Sequence, residues 1–95
     1  MSGPLRDGTT PTPDPHLALV RPVAPQTPEG CEECLRHGTP WVHLRMCLSC
    51  GLVGCCDSSP MQHARAHAAG TGHVVVGSLE PGENWRWCYA HEDYV

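Results

Sequence analysis

Seven cysteines and seven histidines are the residues that could do chemistry in this chain of 95 residues. Two cysteine pairs, Cys31–Cys34 and Cys47–Cys50, each have two residues between their members. This spacing lets two sulfurs reach one tetrahedral ion from a tight turn. Three histidines follow at short spacings: His63, His67 and His73. Because thiolate and imidazole are the usual ligands of zinc, the pattern predicts a protein whose fold depends on bound zinc ions.

Metal binding explains the cysteines better than disulfide bonds do. Seven is an odd number, so a fully paired framework would leave one thiol over. The first residues contain no apolar segment of the kind that a secretion signal has. No stretch approaches 18 consecutive apolar residues, so we expect no membrane association. We therefore expect a cytoplasmic protein, in a reducing compartment where clustered thiols bind metal.

The composition allows only a small core and disfavours nucleic acid as a partner. The chain has no Phe, three Trp and two Tyr, so it needs an additional stabilising element such as a metal ion. Its formal net charge is −4, and its six basic residues are all Arg. A protein that tracks phosphates should be basic, so we expect no nucleic-acid partner.

The pattern of elements predicts an α+β fold: a small zinc-stabilised domain with a short twisted antiparallel sheet and one main helix. The helix is expected over 58–70, with Ser58 or Ser59 as its N-terminal cap and Gly70 as its C-terminal cap. Strands are expected over 41–47, after the turn at 51–54, and over 74–76 and 85–89. Residues 1–13, which are rich in Pro, are expected to form a disordered tail, and 14–95 to form the domain.

One segment has the spacing of a Cys2His2 DNA-binding finger, with twelve residues between Cys50 and His63 and three between His63 and His67. In such a finger the helix is already formed well before the first histidine. Here Pro60 marks a helix start at that place, and the acidic charge is wrong for DNA. This interpretation is therefore rejected.

The whole run of motifs resembles the UBP-type zinc finger, a ubiquitin-binding module of ubiquitin-specific proteases and of a histone deacetylase. The resemblance covers about residues 14–95 and is closest to short stand-alone bacterial members. The matching motifs are, in order, Cys31-x2-Cys34, Trp41, Cys47-Leu48-Ser49-Cys50-Gly51, Gly54-Cys55, His63-Ala64-x2-His67, Thr71-Gly72-His73 and Trp87-Cys88-Tyr89.

The resemblance implies interleaved zinc sites that are closed and structural. The first set of ligands is Cys31, Cys34, Cys55 and His63. The second set is Cys47, Cys50, His67 and His73. A third set is a candidate, in which Asp replaces the Cys of the family: Asp14, His16, Cys88 and His91. The protein would then hold two or three Zn²⁺ ions, while Cys56 would be a small buried apolar residue and His37 and His43 would not be ligands.

The resemblance also bears on partners. Ubiquitin-binding members hold the carboxylate of the ubiquitin C-terminus with an Arg, whereas this chain has Asp57 at that position. Ubiquitin is therefore not expected as the ligand. Trp87 and Tyr89 remain as candidate residues for binding an extended peptide or protein partner, together with Tyr94. We expect a non-catalytic module, and the alternative is a thiolate switch that responds to oxidation or to zinc.

Overall fold

The structure, a computed structural model, describes residues 14–95. The predicted tail, residues 1–13, lies outside the described residues. The predicted domain boundary at residue 14 therefore stays a prediction. The described part contains two α-helices, five short strands and one 3₁₀ helix. No helix in this part is long and apolar enough to cross a membrane.

The five strands form one antiparallel sheet in the order β2-β1-β3-β4-β5. The strands are β1 (Leu44–Cys47), β2 (Val53–Cys55), β3 (Val75–Ser78), β4 (Arg86–Cys88) and β5 (Asp93–Tyr94). The helices are α1 (Glu32–His37) and α2 (His63–Thr71), and the 3₁₀ helix is Pro15–Leu19. The predicted α+β fold with an antiparallel sheet and one main helix is confirmed.

The predicted bounds of α2 are wrong at both ends. The helix begins at His63, because the predicted cap Ser59 instead accepts a hydrogen bond from the backbone N–H of Val42 at 2.8 Å. The helix continues past Gly70 and ends at Gly72, whose φ of 79° is the left-handed conformation that glycine adopts most easily. Residues 57–61 form turns and bends instead of a first helical turn.

The turn between β1 and β2 lies beneath the N-terminal arm, residues 14–30. The backbone N–H of Arg21 donates to the carbonyl of Leu48 at 2.7 Å, and that of Gln26 donates to the carbonyl of Gly51 at 2.9 Å. A side chain at Gly51 would collide with the carbonyl of Ala24, and φ there is +87°. Glycine is therefore required where the arm crosses the turn.

The core of the described part is unusually poor in large side chains. Of its eleven buried apolar residues, six are cysteines, two are Ala and three are Val. The valines are Val53, Val75 and Val76. Each contributes only about 1.5–3 kcal/mol when fully buried. So small a core agrees with the expectation that the fold needs stabilisation beyond hydrophobic packing.

Candidate functional site

Three thiols and one imidazole converge between α1, β2 and α2, at the first centre. The Nδ1 atom of His63 lies 3.4 Å from the Sγ atom of Cys31, 3.4 Å from that of Cys34 and 3.5 Å from that of Cys55. One ring nitrogen cannot share a hydrogen bond with three sulfurs at once. Donor atoms around a tetrahedral zinc ion lie about 3.6 Å apart, as its bond lengths require. The donor set and its spacing therefore fit a zinc ion.

Local structure directs positive partial charge at these sulfurs. The backbone N–H of His63, at the start of α2, donates to the Sγ of Cys55 at 3.1 Å. The backbone N–H of Cys34 donates to the Sγ of Cys31, which caps α1, at 3.5 Å. Burial raises the pKa of Cys31 to about 11, and the neighbouring thiols of Cys34 and Cys55 add to the effect. Three ionised sulfurs in this setting need a cation as well as the amides.

The second centre lies between the β1–β2 turn and the end of α2. Its members are Cys47, Cys50, His67 and His73, whose donor atoms all lie within 4.8 Å of one another. The Nε2 of His67 is 3.5 Å from the Sγ of Cys50. Burial, and then the neighbouring His73, lowers the pKa of His67, which favours the neutral imidazole that binds metal.

His73 supplies an independent sign that the second centre is built for a metal ion. Its Nδ1 atom is buried and has no hydrogen-bond partner among the described residues. Buried polar atoms without partners are rare, because each costs about 1–3 kcal/mol. A metal ion bound through this Nδ1 atom would give it a partner, so the donor set fits zinc here too.

The third centre joins the N-terminal arm to the end of the sheet. Its members are Asp14, His16, Cys88 and His91. The buried Sγ of Cys88 lies 3.4 Å from the Nδ1 of His16 and 3.7 Å from the Nδ1 of His91. The Oδ2 of Asp14 is 2.7 Å from the Nδ1 of His91.

The carboxylate of the third centre is held in its ionised form. Burial would raise the pKa of Asp14, but hydrogen bonds from the backbone of His16 and from the side chains of His91 and Cys88 lower it to about 2. An ionised carboxylate beside a thiol and two imidazoles is a chemically acceptable zinc donor set. The third centre is also the most open one, since the side chain of His91 is 51% exposed.

Each predicted group of four residues is therefore brought together in space. The two central groups interleave along the chain because α2 carries His63 to one and His67 to the other. The remaining two histidines and one cysteine, which were not expected to be ligands, belong to none of the three groups. His37 is paired with Glu33 at 3.3 Å, His43 is exposed and precedes β1 instead of lying in a strand, and the thiol of Cys56 is buried 3.7 Å from the hydroxyl of Ser59.

A groove of about 190 Å³ lies on one face of the sheet. It is lined by Arg45, Cys56, Asp57, Ser58, Val76, Trp85, Trp87 and Tyr94. Cross-strand register explains the aromatic part, because Trp87 lies opposite Val76 on one side and opposite Tyr94 on the other. The ring of Tyr94 meets those of Trp85 and Trp87 edge-on, at centroid distances of 5.5 and 5.1 Å.

Tyr89 does not lie in this groove. It follows β4 in a turn and lines a separate, mostly apolar pocket beside Arg65, whose guanidinium is 5.1 Å from the centre of the Tyr89 ring. Trp87 and Tyr89, which were predicted to bind one partner together, therefore lie in different pockets, and Arg45 and Trp85 were not predicted as groove residues. The alternation of Trp85 and Trp87 is the signal that could have found Trp85.

Comparison with known proteins agrees with the centres. The sequence profile of a family described as "Zn-finger in ubiquitin-hydrolases and other protein" matches residues 31–95. The chain belongs to this zinc-finger family, and zinc binding follows from the family and from the clusters of Cys and His residues.

Two known proteins are similar to this chain. Ubiquitin carboxyl-terminal hydrolase 45 of Mus musculus is 39% identical over 70 residues, which cover 62% of this chain and only 8% of that protein. A Rhodopseudomonas palustris protein, solved in solution by NMR, is 48% identical with a TM-score of 0.79, covering 90% of this chain and 82% of that one. The fold therefore also occurs in a small bacterial protein.

Proposed function

We propose that the chain is a non-catalytic module in which three structural zinc ions hold a groove that binds an extended segment of a protein partner. The observation that carries the proposal is the position of the groove. Its aromatic side is formed by Trp87 of β4, next to Cys88, and by Tyr94 of β5. Its other side is formed by 56–58, which directly follow Cys55. Zinc at the first and third centres would therefore fix both walls.

The donor sets support a non-catalytic role. Each group already offers four ligands, and a catalytic zinc ion keeps one position open for water or substrate. Cys56 is the one cysteine outside the three groups, and among the described residues its thiol has a hydrogen-bond contact with the hydroxyl of Ser59 and none with a histidine base. Burial would raise the pKa of Cys56, but hydrogen bonds from Ser59 and from the backbone, with the charge of Arg45, lower it to about 7. The described residues therefore offer no open metal site and no thiol hydrogen-bonded to a histidine outside the three groups.

The number of ions can be tested by elemental analysis. We expect three zinc ions per chain in the native protein, since three groups of donors are present. Cys88→Ser should retain two, because it removes the only sulfur of the third centre. Cys56→Ser is the matched control and should retain three. A native protein with two ions, in which Cys88→Ser changes nothing, would contradict the third site.

The groove can be tested by comparing two tyrosines. Trp87→Ala and Tyr94→Ala should each weaken binding of groove-dependent peptides at least tenfold, roughly the effect of losing an aromatic anchor. Tyr89→Ala, which makes the same chemical change outside the groove, should leave the affinity within about threefold. Affinities are measured by titration of zinc-loaded protein with a random heptapeptide library and then with its selected members. Equal losses for both tyrosines would place the partner elsewhere.

The second candidate function is a thiolate switch. It is favoured by the exposure of the two imidazoles of the third centre, since the side chain of His16 is 33% exposed and that of His91 is 51% exposed. The thiol of Cys88 is itself buried, so oxidation there would follow the opening of these imidazoles. Mild peroxide should then release one zinc ion before the other two, with oxidation of Cys88. Retention of all zinc under those conditions would exclude this candidate.

A further inference from the structure

The groove exposes much aromatic surface for a chain that has so few aromatic residues. Three Trp and two Tyr are the only ones in the chain, and Trp85, Trp87 and Tyr94 line this groove. Tyr94 is 64% exposed, and both tryptophans are only partly buried. By contrast, no aromatic side chain is among the buried residues of the described part. Apolar surface that is left open in one patch is typical of a docking site.

The described chain begins close to this groove. Asp14 belongs to the third centre together with Cys88, and its Oδ2 lies 2.7 Å from the Nδ1 of His91. Cys88 follows Trp87 in β4, so these two side chains leave the sheet on opposite faces. Only the edge strand β5 lies between β4 and the open side of the sheet. The tail, residues 1–13, therefore joins the described chain one strand away from the sheet edge that leads to the groove.

The tail contains an apolar pair that is far enough from Asp14 to reach the groove. The pair is Pro4 and Leu5, and Leu5 lies nine positions before Asp14. An extended chain that is rich in Pro advances about 3.1 Å per residue, so nine residues span up to about 28 Å. The path round one edge strand to the other face of the sheet is about 15 Å, the sum of one strand spacing and the thickness of one layer. The tail is therefore long enough to place this pair in the groove.

We propose that Pro4 and Leu5 of the same chain dock in the groove when no partner occupies it. The regulation that follows rests on the proposed function, because the tail and the partner would compete for one groove, whereas the docking itself does not. Prolyl rings pack on aromatic rings, and a segment rich in Pro loses little conformational entropy when it docks in an extended form. A short connection gives an effective concentration on the order of millimolar, so even a weak contact is populated.

Within the groove, Trp87 and Tyr94 are the rings that can receive the pair. The guanidinium of Arg45 lies over the ring of Trp85, 4.5 Å from its centre, so it already covers part of that indole. Tyr94 meets Trp87 edge-on at a centroid distance of 5.1 Å. An edge-on contact leaves ring surface uncovered, and uncovered ring surface is what a proline needs.

The neighbouring pocket is a less suitable docking site for the tail. It is lined mainly by three alanines and a valine, and its one aromatic ring belongs to Tyr89. The guanidinium of Arg65 lies 5.1 Å from the centre of that ring and covers it. The pocket therefore lacks the open pair of rings that Trp87 and Tyr94 provide in the groove.

Docking is tested by NMR on the full zinc-loaded chain without any peptide. We expect nuclear Overhauser effects from the protons of Pro4 and Leu5 to the rings of Trp87 and Tyr94. The double variant Pro4→Gly with Leu5→Ser should remove these effects and shift the indole N–H signal of Trp87. The indole signal of Trp41 should stay in place, because Trp41 packs at the first centre.

A second double variant is the matched control. Thr9→Ser with Thr10→Ser changes the connection but not the docked pair, so it should leave the indole signal of Trp87 as it is in the native protein. Both double variants should keep the native zinc content, since their changes lie outside the three centres. Contacts to Tyr89 in place of Trp87, or effects that weaken on dilution and so arise from a second copy, would overturn the inference. An unchanged Trp87 signal in the first double variant would overturn it as well.

The competition between the tail and a partner is tested by titration with groove-dependent heptapeptides. Pro4→Gly with Leu5→Ser should bind them at least about threefold more tightly than the native protein, because apparent affinity falls with the fraction of the groove that is free. Equal affinities and no NMR contacts would overturn the inference and leave the groove as a peptide site. A library without binders sensitive to Trp87→Ala would overturn the proposed function, while the NMR contacts would still establish docking of the tail.

Discussion

Removing zinc from the native protein is expected to unfold the described domain completely. Structural zinc sites contribute apparent binding free energies of about 10–16 kcal/mol, whereas a small domain is stable by only about 5–15 kcal/mol. The core cannot make up the difference, because its largest fully buried side chains are three valines. Without the ions, no interaction offsets the free-energy cost of bringing the cysteines and histidines of each centre together.

The measurement is amide dispersion in a two-dimensional NMR spectrum, recorded during titration with EDTA under reducing conditions. The dispersed signals of β1 to β4 should collapse as zinc is withdrawn. Adding Zn²⁺ should restore them, whereas adding Mg²⁺ should not, because thiolate and imidazole are poor ligands for magnesium. A zinc-free protein with a dispersed spectrum would show that packing alone holds the fold.

The sequence predicts the central ligands well because their spacing is local. Two residues between cysteines make a turn around one ion, and His63 and His67 share a helix face at a separation of four. These relations survive even though the predicted start of α2 is wrong by several residues. The start could not be predicted, because Ser59 is engaged by the backbone of Val42, a contact across 17 positions of the chain.

The groove was predicted only in part, because it depends on strand order and register. Alternation places Trp85 and Trp87 on one face of β4. Arg45 lies on the same face as these two tryptophans because β1 pairs with β3, where Arg45 is opposite Ser78, and β3 in turn pairs with β4. From the sequence alone, Asp57 is a charge that would repel a carboxylate. Its pairing with Arg65, eight positions away across a turn, has no local pattern that would indicate it.

Adjacent cysteines provide the other prediction with a large expected effect. Cys55→Ser should lose zinc from the first centre and unfold the domain, whereas Cys56→Ser should keep its zinc and its fold. The Sγ of Cys55 lies 3.5 Å from the Nδ1 of His63 and accepts the N–H of the same residue. The free energy lost with this ligand is therefore of the same order as the free energy of unfolding of the whole domain.

Cys56 has a different environment, although it is equally buried in the chain. It lines the groove, and its thiol contacts the hydroxyl of Ser59 at 3.7 Å, a contact that a serine can also make. Cys56→Ser should therefore cost at most about 1–2 kcal/mol. Zinc content by elemental analysis and urea unfolding of both variants check the pair. Loss of zinc in Cys56→Ser but not in Cys55→Ser would mean that the neighbouring sulfur is the ligand, and that the alternation of β2 is shifted by one residue at its end.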